Sequence, residues 1–137
     1  MTTTTTTVSV TRTLNAPRDV VWRVYTEPQY FERWFGAVPG SAEVDVRTGG
    51  SWKADIATGP GESFTLTGAY VEVVVPERFV LTIPDGVQEA EAVTVFTDRG
   101  DVTEVTASCQ AEPESRSATE ATIGAILDSI AEIIASL

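Results

Sequence analysis

A cluster of aromatic side chains is the first feature of the sequence that can bind a molecule. Small-molecule sites are built mainly from apolar and aromatic groups with few polar ones. The same rings also fill a hydrophobic core, because each buries a large apolar area. Both interpretations stay open for the cluster, which consists of Tyr30, Phe31, Trp34, Phe35 and Trp52. Trp34 and Trp52 are its two candidates to face a cavity.

Three charged residues occupy alternating positions between Phe35 and Trp52. Glu43, Asp45 and Arg47 fall on one face of a strand, because side chains repeat every second residue there. The Arg47 guanidinium can then orient a carboxylate or carbonyl of a ligand. An ordinary solvent-facing strand has the same alternation, so a structural role is the favoured interpretation and a ligand contact the alternative.

Two further side chains are candidates for catalysis. Tyr70 and Glu72 share strand parity with Phe64 and Leu66. On a concave face, apolar surroundings would raise the pKa of Glu72 and make it a general base, whereas near a strand end it reaches water. Cys109 is the single cysteine, and no histidine is present to activate its thiol. We therefore interpret Cys109 as an unreactive residue.

Composition excludes several function classes. The absence of histidine removes the commonest general base and metal ligand and the Ser-His and Cys-His nucleophiles. We expect no metal site and no cofactor. A net charge of −11 with nine dispersed basic residues argues against nucleic acid and anionic membrane partners. Without an apolar spanning segment or a signal peptide, a cytoplasmic location is expected.

Periodicity predicts one α+β domain. Residues 1–6 are expected to be a disordered tail and residues 7–137 a single domain, since 137 residues are enough for one core and too few for two. The predicted elements are a strand around Val8–Leu14, helices over Pro17–Thr26 and Pro28–Phe35, about six strands between Ala42 and Cys109, and a final helix from Ser117.

Local signals define the ends and bends of these elements. Asn15 or a neighbour is expected to cap the first helix, and Ser117-Ala118-Thr119-Glu120 fits a capping box for the last. The long middle strand is predicted to bend near Gly68. The acidic segment 83–93 is predicted to be a loop, either a plain solvent loop or a lid.

The final helix needs an apolar surface to pack against. Its apolar residues recur at helical spacing, so one face must be buried. A curved antiparallel sheet is the only surface available, and the helix is predicted to lie across its concave side. Gly124 interrupts the apolar series and allows either close packing or room for a ligand. The series is Ile123, Ile126, Leu127, Ile130, Ile133, Ile134 and Leu137.

Three sequence motifs carry a family resemblance. They are Ala16-Pro17 with Val21-Trp22, Arg33-Trp34-Phe35, and the stretch Asp45-Val46-Arg47-Thr48-Gly49-Gly50-Ser51-Trp52. Together they resemble the START-like (SRPBCC, Bet v 1-like) helix-grip superfamily, most closely the branch named for the activator of the Hsp90 ATPase. The resemblance implies the order β-α-α-β6-α, with a curved antiparallel sheet of about seven strands wrapped around a long C-terminal helix.

The resemblance also implies a cavity between the sheet and the C-terminal helix. A small hydrophobic ligand is the expected partner, and the protein is expected to be a monomer or homodimer. One alternative is a cofactor-free enzyme of the polyketide cyclase or aromatase type, and another is a protein-interaction or chaperone-regulator module. Ligand contacts are expected from Trp34, Phe35, Trp52, Phe64, Leu66, Tyr70, Phe79, Leu81, Ile123 and Leu127.

Overall fold

A seven-stranded antiparallel sheet and three helices form the fold. The structure is a computed structural model that describes residues 6–85 and 88–137, with side chains throughout that part except at positions 83–85 and 88–90. Its elements are β1 (Thr6–Leu14), α1 (Arg18–Thr26), α2 (Pro28–Phe35), β2 (Glu43–Val44), β3 (Ser51–Gly59), β4 (Glu62–Val74), β5 (Arg78–Asp85), β6 (Gln88–Asp98), β7 (Thr103–Ala111) and α3 (Arg116–Ala135). This is the predicted β-α-α-β6-α order, so the α+β helix-grip prediction is confirmed.

The sheet has a simple neighbour order. It runs β1-β7-β6-β5-β4-β3-β2, so β2 to β7 form a meander and β1 closes onto the last strand. Thr6 pairs with Ala111 at the start of β1, which places Thr6 inside the sheet and corrects the predicted boundary of the tail. The rest of the predicted tail, residues 1–5, lies outside the described residues.

Helices α1 and α2 form where the sequence predicts them. Val21, Val24 and Tyr25 are buried on the inner side of α1, and Phe31 is buried on α2. The predicted cap at Asn15 is wrong: Pro17 occupies the N-cap position of α1 with no side-chain hydrogen bond. Proline suits this position because it has no N–H to satisfy and its φ angle suits a helix start.

Helix α3 packs across one face of the sheet. Gly124, Leu127, Ile130 and Ile133 are its buried residues, so the predicted packing face is confirmed for most of the helix. Leu137, the last member of the predicted series, lies beyond the helix end and is 61% exposed. The predicted capping box at residues 117–120 is wrong, because α3 begins at Arg116 and has no capping side-chain hydrogen bond. The bare face of Gly124 receives Arg12 of β1, whose Nη2 would lie 3.4 Å from a Cβ added there. Gly124 therefore serves close packing.

The segment from Asp45 to Gly50 is a structural turn. Arg47 Nε donates to both Asp45 carboxylate oxygens, at 3.0 and 2.8 Å. Gly49 has φ +86° and donates its N–H to the Tyr70 carbonyl, and a Cβ on Gly50 would overlap the Asp45 carbonyl oxygen. Both glycines are thus required by geometry. Because the turn starts early, β2 is only two residues long and shorter than predicted.

Strand β4 changes partner halfway along its length. Residues up to Ala69 pair with β3, and those from Tyr70 pair with β5. Ala69 donates its N–H to Thr82 Oγ1 at 2.9 Å, and Trp52 Nε1 donates to the Thr82 carbonyl at 2.9 Å. The indole reaches Thr82 by passing over Gly68, where a Cβ would overlap both partners. This agrees with the bend predicted near Gly68.

A β-bulge follows directly. Tyr70 pairs with Leu81, and Glu72 pairs with Val80. Between these two pairs the chain advances two residues on β4 but only one residue on β5. The extra residue, Val71, reverses the in-and-out alternation. Tyr70 faces the core, whereas Glu72 lies on the outer face, ion-paired with Arg78. The prediction that Tyr70 and Glu72 share one face is therefore wrong.

Strands also occupy most of the segment predicted to be a loop. Strand β5 extends to Asp85, and β6 begins at Gln88. The antiparallel register continues to the pair Asp85 and Gln88. Segment 83–93 is therefore mainly a hairpin rather than a lid, and the turn residues 86–87 lie outside the described residues.

Candidate functional site

An elongated cavity of about 380 Å³ lies between the sheet and α3. Strands β5, β6 and β7 supply one wall and α3 the opposite wall, while Tyr25 of α1 and Trp34 of α2 close one side. The volume falls in the lower part of the range for small-molecule pockets, roughly 300 to 1,000 Å³. The cavity is where the fold resemblance implies one.

The inner end of the cavity is buried. Tyr25, Phe79, Leu81 and Thr94 line it and are all buried. The register explains their placement: Phe79 pairs with Thr94, and Leu81 with Ala92, on the concave face of β5 and β6. Neighbouring inward positions meet across antiparallel strands. These side chains form an apolar floor with one threonine hydroxyl.

The outer end of the cavity reaches solvent. Glu91 of β6 and Ala118 and Thr122 of α3 line the cavity and are exposed. The half-buried Ile123 and Ile126 continue the helical wall inward. A molecule that enters between β6 and α3 would therefore meet polar groups first and apolar groups deeper inside.

Tyr25 carries the one unsatisfied polar atom found among the buried side chains of the described residues. Its hydroxyl oxygen is buried and has no hydrogen-bond partner there. Its ring packs against Trp34, Phe79 and Phe96, with centroid distances of 5.5, 5.7 and 5.1 Å. Burial raises the pKa of Tyr25 well above its ordinary value, so the phenol keeps its proton. Buried hydroxyls normally have a partner.

Two more polar side chains border the cavity. Cys109 lines it from β7, and burial raises the pKa of its thiol. The thiol form is therefore favoured, which agrees with the interpretation of Cys109 as unreactive. Thr122 donates its hydroxyl hydrogen bond to the Ala118 carbonyl at 3.0 Å, so part of its hydrogen-bonding capacity is used within α3.

Four of the ten predicted ligand contacts line the cavity. They are Trp34, Phe79, Leu81 and Ile123. Trp34 is held in place because its Nε1 donates to the Val24 carbonyl at 3.2 Å. Of the two tryptophans proposed to face a cavity, Trp34 therefore does so.

The other six predicted contacts lie away from the cavity. Trp52, Tyr70 and Leu127 are buried in the core. Phe35 and Leu66 are half-buried against that core, where Phe35 packs edge-on against Trp52. Phe64 lies near the tip of the β3–β4 hairpin and is 46% exposed. The cavity occupies only the part of the concave face beside β5, β6 and β7, and these six side chains lie beside other parts of the fold.

Sequence reasoning missed several lining residues. The sequence predicts Tyr25 and Ile126 as members of apolar helical series, Thr94 as a threonine that strand propensity explains or that offers a hydroxyl to a cavity, and Cys109 as an unreactive thiol, and none of the four is among the predicted ligand contacts. Each sits at an inward position, so a stricter use of strand and helix periodicity would have placed them on the inner side. No sequence signal distinguishes the cavity from the packed core around it.

The polar groups singled out in the sequence lie outside the cavity. Arg47 and Asp45 form an exposed pair, and Glu72 is on the outer face. Within residues 6–85 and 88–137, no group of three potential ligands is arranged to hold a metal ion. Over the same residues, no helix is long and apolar enough to cross a membrane.

Comparison with known proteins assigns the family. The sequence profile described as "Activator of Hsp90 ATPase homolog 1-like protein" (AHSA1) matches residues 15–135. The chain belongs to the AHSA1-like family. This confirms the START-like resemblance and its branch. No curated protein matches the sequence.

Solved structures share the AHSA1-like fold. An AHSA1-like protein of Aeromonas hydrophila has a TM-score of 0.81 and 21% identity, covering 96% of this chain and 93% of that one. A Cytophaga hutchinsonii protein has a TM-score of 0.70 and 28% identity, covering 93% and 90%. DynU16, a protein of the dynemicin biosynthetic locus, has a TM-score of 0.75 and 19% identity. It is matched over 93% of this chain and 46% of DynU16.

Proposed function

We propose that this AHSA1-like protein binds a small, mainly apolar molecule in the cavity between the sheet and α3. The observation that carries the proposal is the cavity itself, about 380 Å³ in volume and lined largely by apolar and aromatic side chains. Well-packed cores contain few voids larger than a water molecule. A space of this size beside a filled core is therefore suited to an occupant.

The arrangement of the lining residues supports binding in one orientation. The floor at Phe79 and Leu81 is buried and apolar, and the rim at Glu91 and Thr122 is exposed. An apolar group gains most by moving from water to the floor, while a polar group remains hydrated at the rim. A ligand with one apolar end and one more polar end fits this gradient.

The cyclase or aromatase alternative has less support from the site. Its proposed acid–base residues, Glu72 and Tyr70, do not line the cavity. Catalysis would then depend on Tyr25, Glu91 or Cys109, the titratable side chains that do line it. DynU16 is a structural neighbour from a biosynthetic locus, which keeps this alternative worth testing with polyketide-like compounds. The chaperone-regulator alternative is supported only by the description of the matching family profile.

The binding proposal is tested by filling the cavity. Ala107 lines the cavity from β7, on the same inward face as the fully buried Val105. Ala107→Phe should occupy the ligand's space and abolish saturable binding of apolar aromatic compounds. Binding is followed by tryptophan fluorescence, since Trp34 lines the cavity, and by native mass spectrometry of the freshly purified protein.

A matched control comes from the neighbouring residue. Thr106 lies on the opposite face of β7, where its hydroxyl lies 3.0 Å from that of Thr11. Thr106→Phe adds the same ring to the outer face and should leave binding unchanged. Equal loss in both variants, or saturable binding that survives Ala107→Phe, would contradict the cavity as the site.

We also propose that the protein acts in the cytoplasm as a monomer or homodimer, without nucleic acid or membrane partners. Light scattering coupled to gel filtration distinguishes the two oligomeric states. A larger assembly would contradict the proposed oligomeric state, and recovery of the native protein from another compartment would contradict the proposed location.

A further inference from the structure

The cavity wall contains no side chain that can neutralise an anion. All nine lysine and arginine residues belong to the described part of the chain, and none of them lines the cavity. Five are ion-paired elsewhere: Arg12 with Asp128, Arg47 with Asp45, Lys53 with Glu43, Arg78 with Glu72, and Arg99 with Glu104. A ligand carboxylate would therefore lose its hydration without gaining a cationic partner.

The negative charge of Glu91 at the rim also disfavours an anionic ligand. Glu91 lines the outer end and is exposed, so an approaching anion meets a like charge. The first turns of α3, at Ala118 and Thr119, also border the cavity, and helix N-termini attract negative charge. These two influences oppose each other at the rim. The buried floor has no cation, and only the Tyr25 and Thr94 hydroxyls there could replace part of an anion's hydration. An uncharged ligand avoids both costs.

Tyr25 supplies a hydrogen-bond donor for such a ligand. Its hydroxyl is buried without a partner among the described residues, and Tyr25 is one of the cavity-lining side chains. Burial raises the pKa of the phenol, so the hydroxyl stays protonated. A phenol is a stronger donor than acceptor, because its oxygen lone pair is delocalised into the ring. A carbonyl oxygen is the matching acceptor.

We propose that the cavity selects an uncharged, largely apolar molecule with a carbonyl group whose oxygen accepts a hydrogen bond from the Tyr25 hydroxyl. This inference rests on the proposed binding function and specifies its ligand class. It also gives the unpartnered hydroxyl a role, because a bound carbonyl would satisfy a polar group that is otherwise buried at a cost in free energy.

Three probes with one ring system test the proposal. They are 2-acetonaphthone, which is neutral and has a carbonyl, 2-ethylnaphthalene, which is neutral without one, and 2-naphthoate, which is an anion. Binding is measured by calorimetry at neutral pH. The wild-type protein should bind the ketone about three- to tenfold more tightly than 2-ethylnaphthalene, the effect of one net hydrogen bond. It should bind the naphthoate most weakly.

The variant Tyr25→Phe removes the hydroxyl and keeps the ring. It should bind the ketone and 2-ethylnaphthalene with equal affinity, and its affinity for 2-ethylnaphthalene should not fall. A ketone preference that persists in Tyr25→Phe would overturn the role of Tyr25. Naphthoate binding as tight as ketone binding would overturn the exclusion of anions. If no probe binds to the wild type, the proposed function itself fails, and this inference fails with it.

A second variant tests charge selection independently of Tyr25. Thr122 is exposed at the cavity rim, so Thr122→Arg places a cation beside an entering ligand. It should raise the affinity for 2-naphthoate relative to the affinity for the ketone. Ala121→Arg is the control, since Ala121 is exposed on α3 and does not line this cavity. An equal gain from both variants would show that general surface charge, and not the cavity wall, controls anion binding.

Discussion

Trp52 and Gly68 act as one structural unit at the residue scale. The Trp52 indole is almost fully buried, at 1% exposure, and crosses the backbone of Gly68 to reach Thr82. This contact stabilises the sheet at the point where β4 stops pairing with β3 and begins to pair with β5. Within the motif Asp45–Trp52, which carries the family resemblance, Trp52 therefore stabilises the sheet. Trp34 lines the cavity instead.

Gly68→Ala is expected to destabilise the protein strongly. Its Cβ would overlap the Trp52 indole and the Thr82 carbonyl, and overpacking of this kind costs about 3 kcal/mol. Chemical denaturation of the purified variant measures the loss in the free energy of unfolding. Gly59→Ala is the control, because the nearest atom to its Cβ would be a Glu62 side-chain oxygen at 3.6 Å. Comparable losses in both variants would contradict the overlap argument.

Trp52→Phe should separate stability from binding. It removes the hydrogen bond to Thr82 and part of a buried ring, which should lower the free energy of unfolding by about 2 to 4 kcal/mol. Ligand affinity should be unchanged at temperatures where the variant is folded, since Trp52 does not line the cavity. Trp34→Phe should show the reverse pattern, with weaker binding and a smaller stability loss. Reduced affinity in folded Trp52→Phe would contradict this division of roles.

At the scale of elements, α2 organises the loop that follows it. Glu32 Oε2 accepts a hydrogen bond from the Ala42 N–H at 2.8 Å, which joins α2 to the start of β2. The pKa of Glu32 is lowered, first by this bond and then by a bond from the Gly40 N–H, while desolvation opposes the shift. The ionised carboxylate is therefore the form that the folded state stabilises.

The sign of the resulting pH dependence follows from the lowered pKa. Glu32 stabilises the fold above the ordinary carboxylate range, and this contribution is lost as the pH falls through the folded-state value. Glu32→Gln should cost about 0.5 to 1 kcal/mol at pH 7, since the group is close to solvent. The difference from wild type should shrink in unfolding experiments near pH 4. A difference that grows on acidification would contradict this sign.

The bulge at Val71 is the second feature of element scale. It turns Glu72 to the outer face, where its ion pair with Arg78 is half-exposed, and such pairs contribute little. The same bulge lets Tyr70 and Val73 both face inward. Because of the extra residue Val71, the Glu72 carboxylate lies on the outer face and cannot take part in chemistry inside the cavity.

At the scale of the whole molecule, most charged side chains lie outside the cavity. The net charge of −11 comes almost wholly from side chains outside the cavity, because Glu91 is the one charged residue among the described residues that line it. Such a charge favours solubility and repels polyanions. The cavity contributes Glu91 at its rim and otherwise an uncharged wall.

The net charge of −11 leads to a prediction about nucleic acids. A labelled DNA duplex should show no change in fluorescence anisotropy with this protein, even at about 50 mM salt, where phosphate contacts are strongest. Single-stranded RNA should behave in the same way. Saturable, salt-sensitive binding of either nucleic acid would contradict the prediction.

The sequence by itself determined the elements and their order. The apolar spacing and the initial Pro28 defined α2 at Pro28–Phe35, and the apolar series of α3 identified most of its buried face. These signals are local, because side-chain periodicity depends only on the geometry of one helix or strand. The lack of histidine and the single cysteine also limited the possible chemistry before any fold was known.

Only the tertiary structure decided which inward-facing residues border a cavity. Trp34 and Trp52 were the two tryptophans expected to face a cavity, yet one lines the cavity and the other is core. The bulge at Val71 and the unpartnered Tyr25 hydroxyl likewise depend on strand register and on which helix covers which part of the sheet. These are contacts between residues far apart in the chain, and no local pattern encodes them.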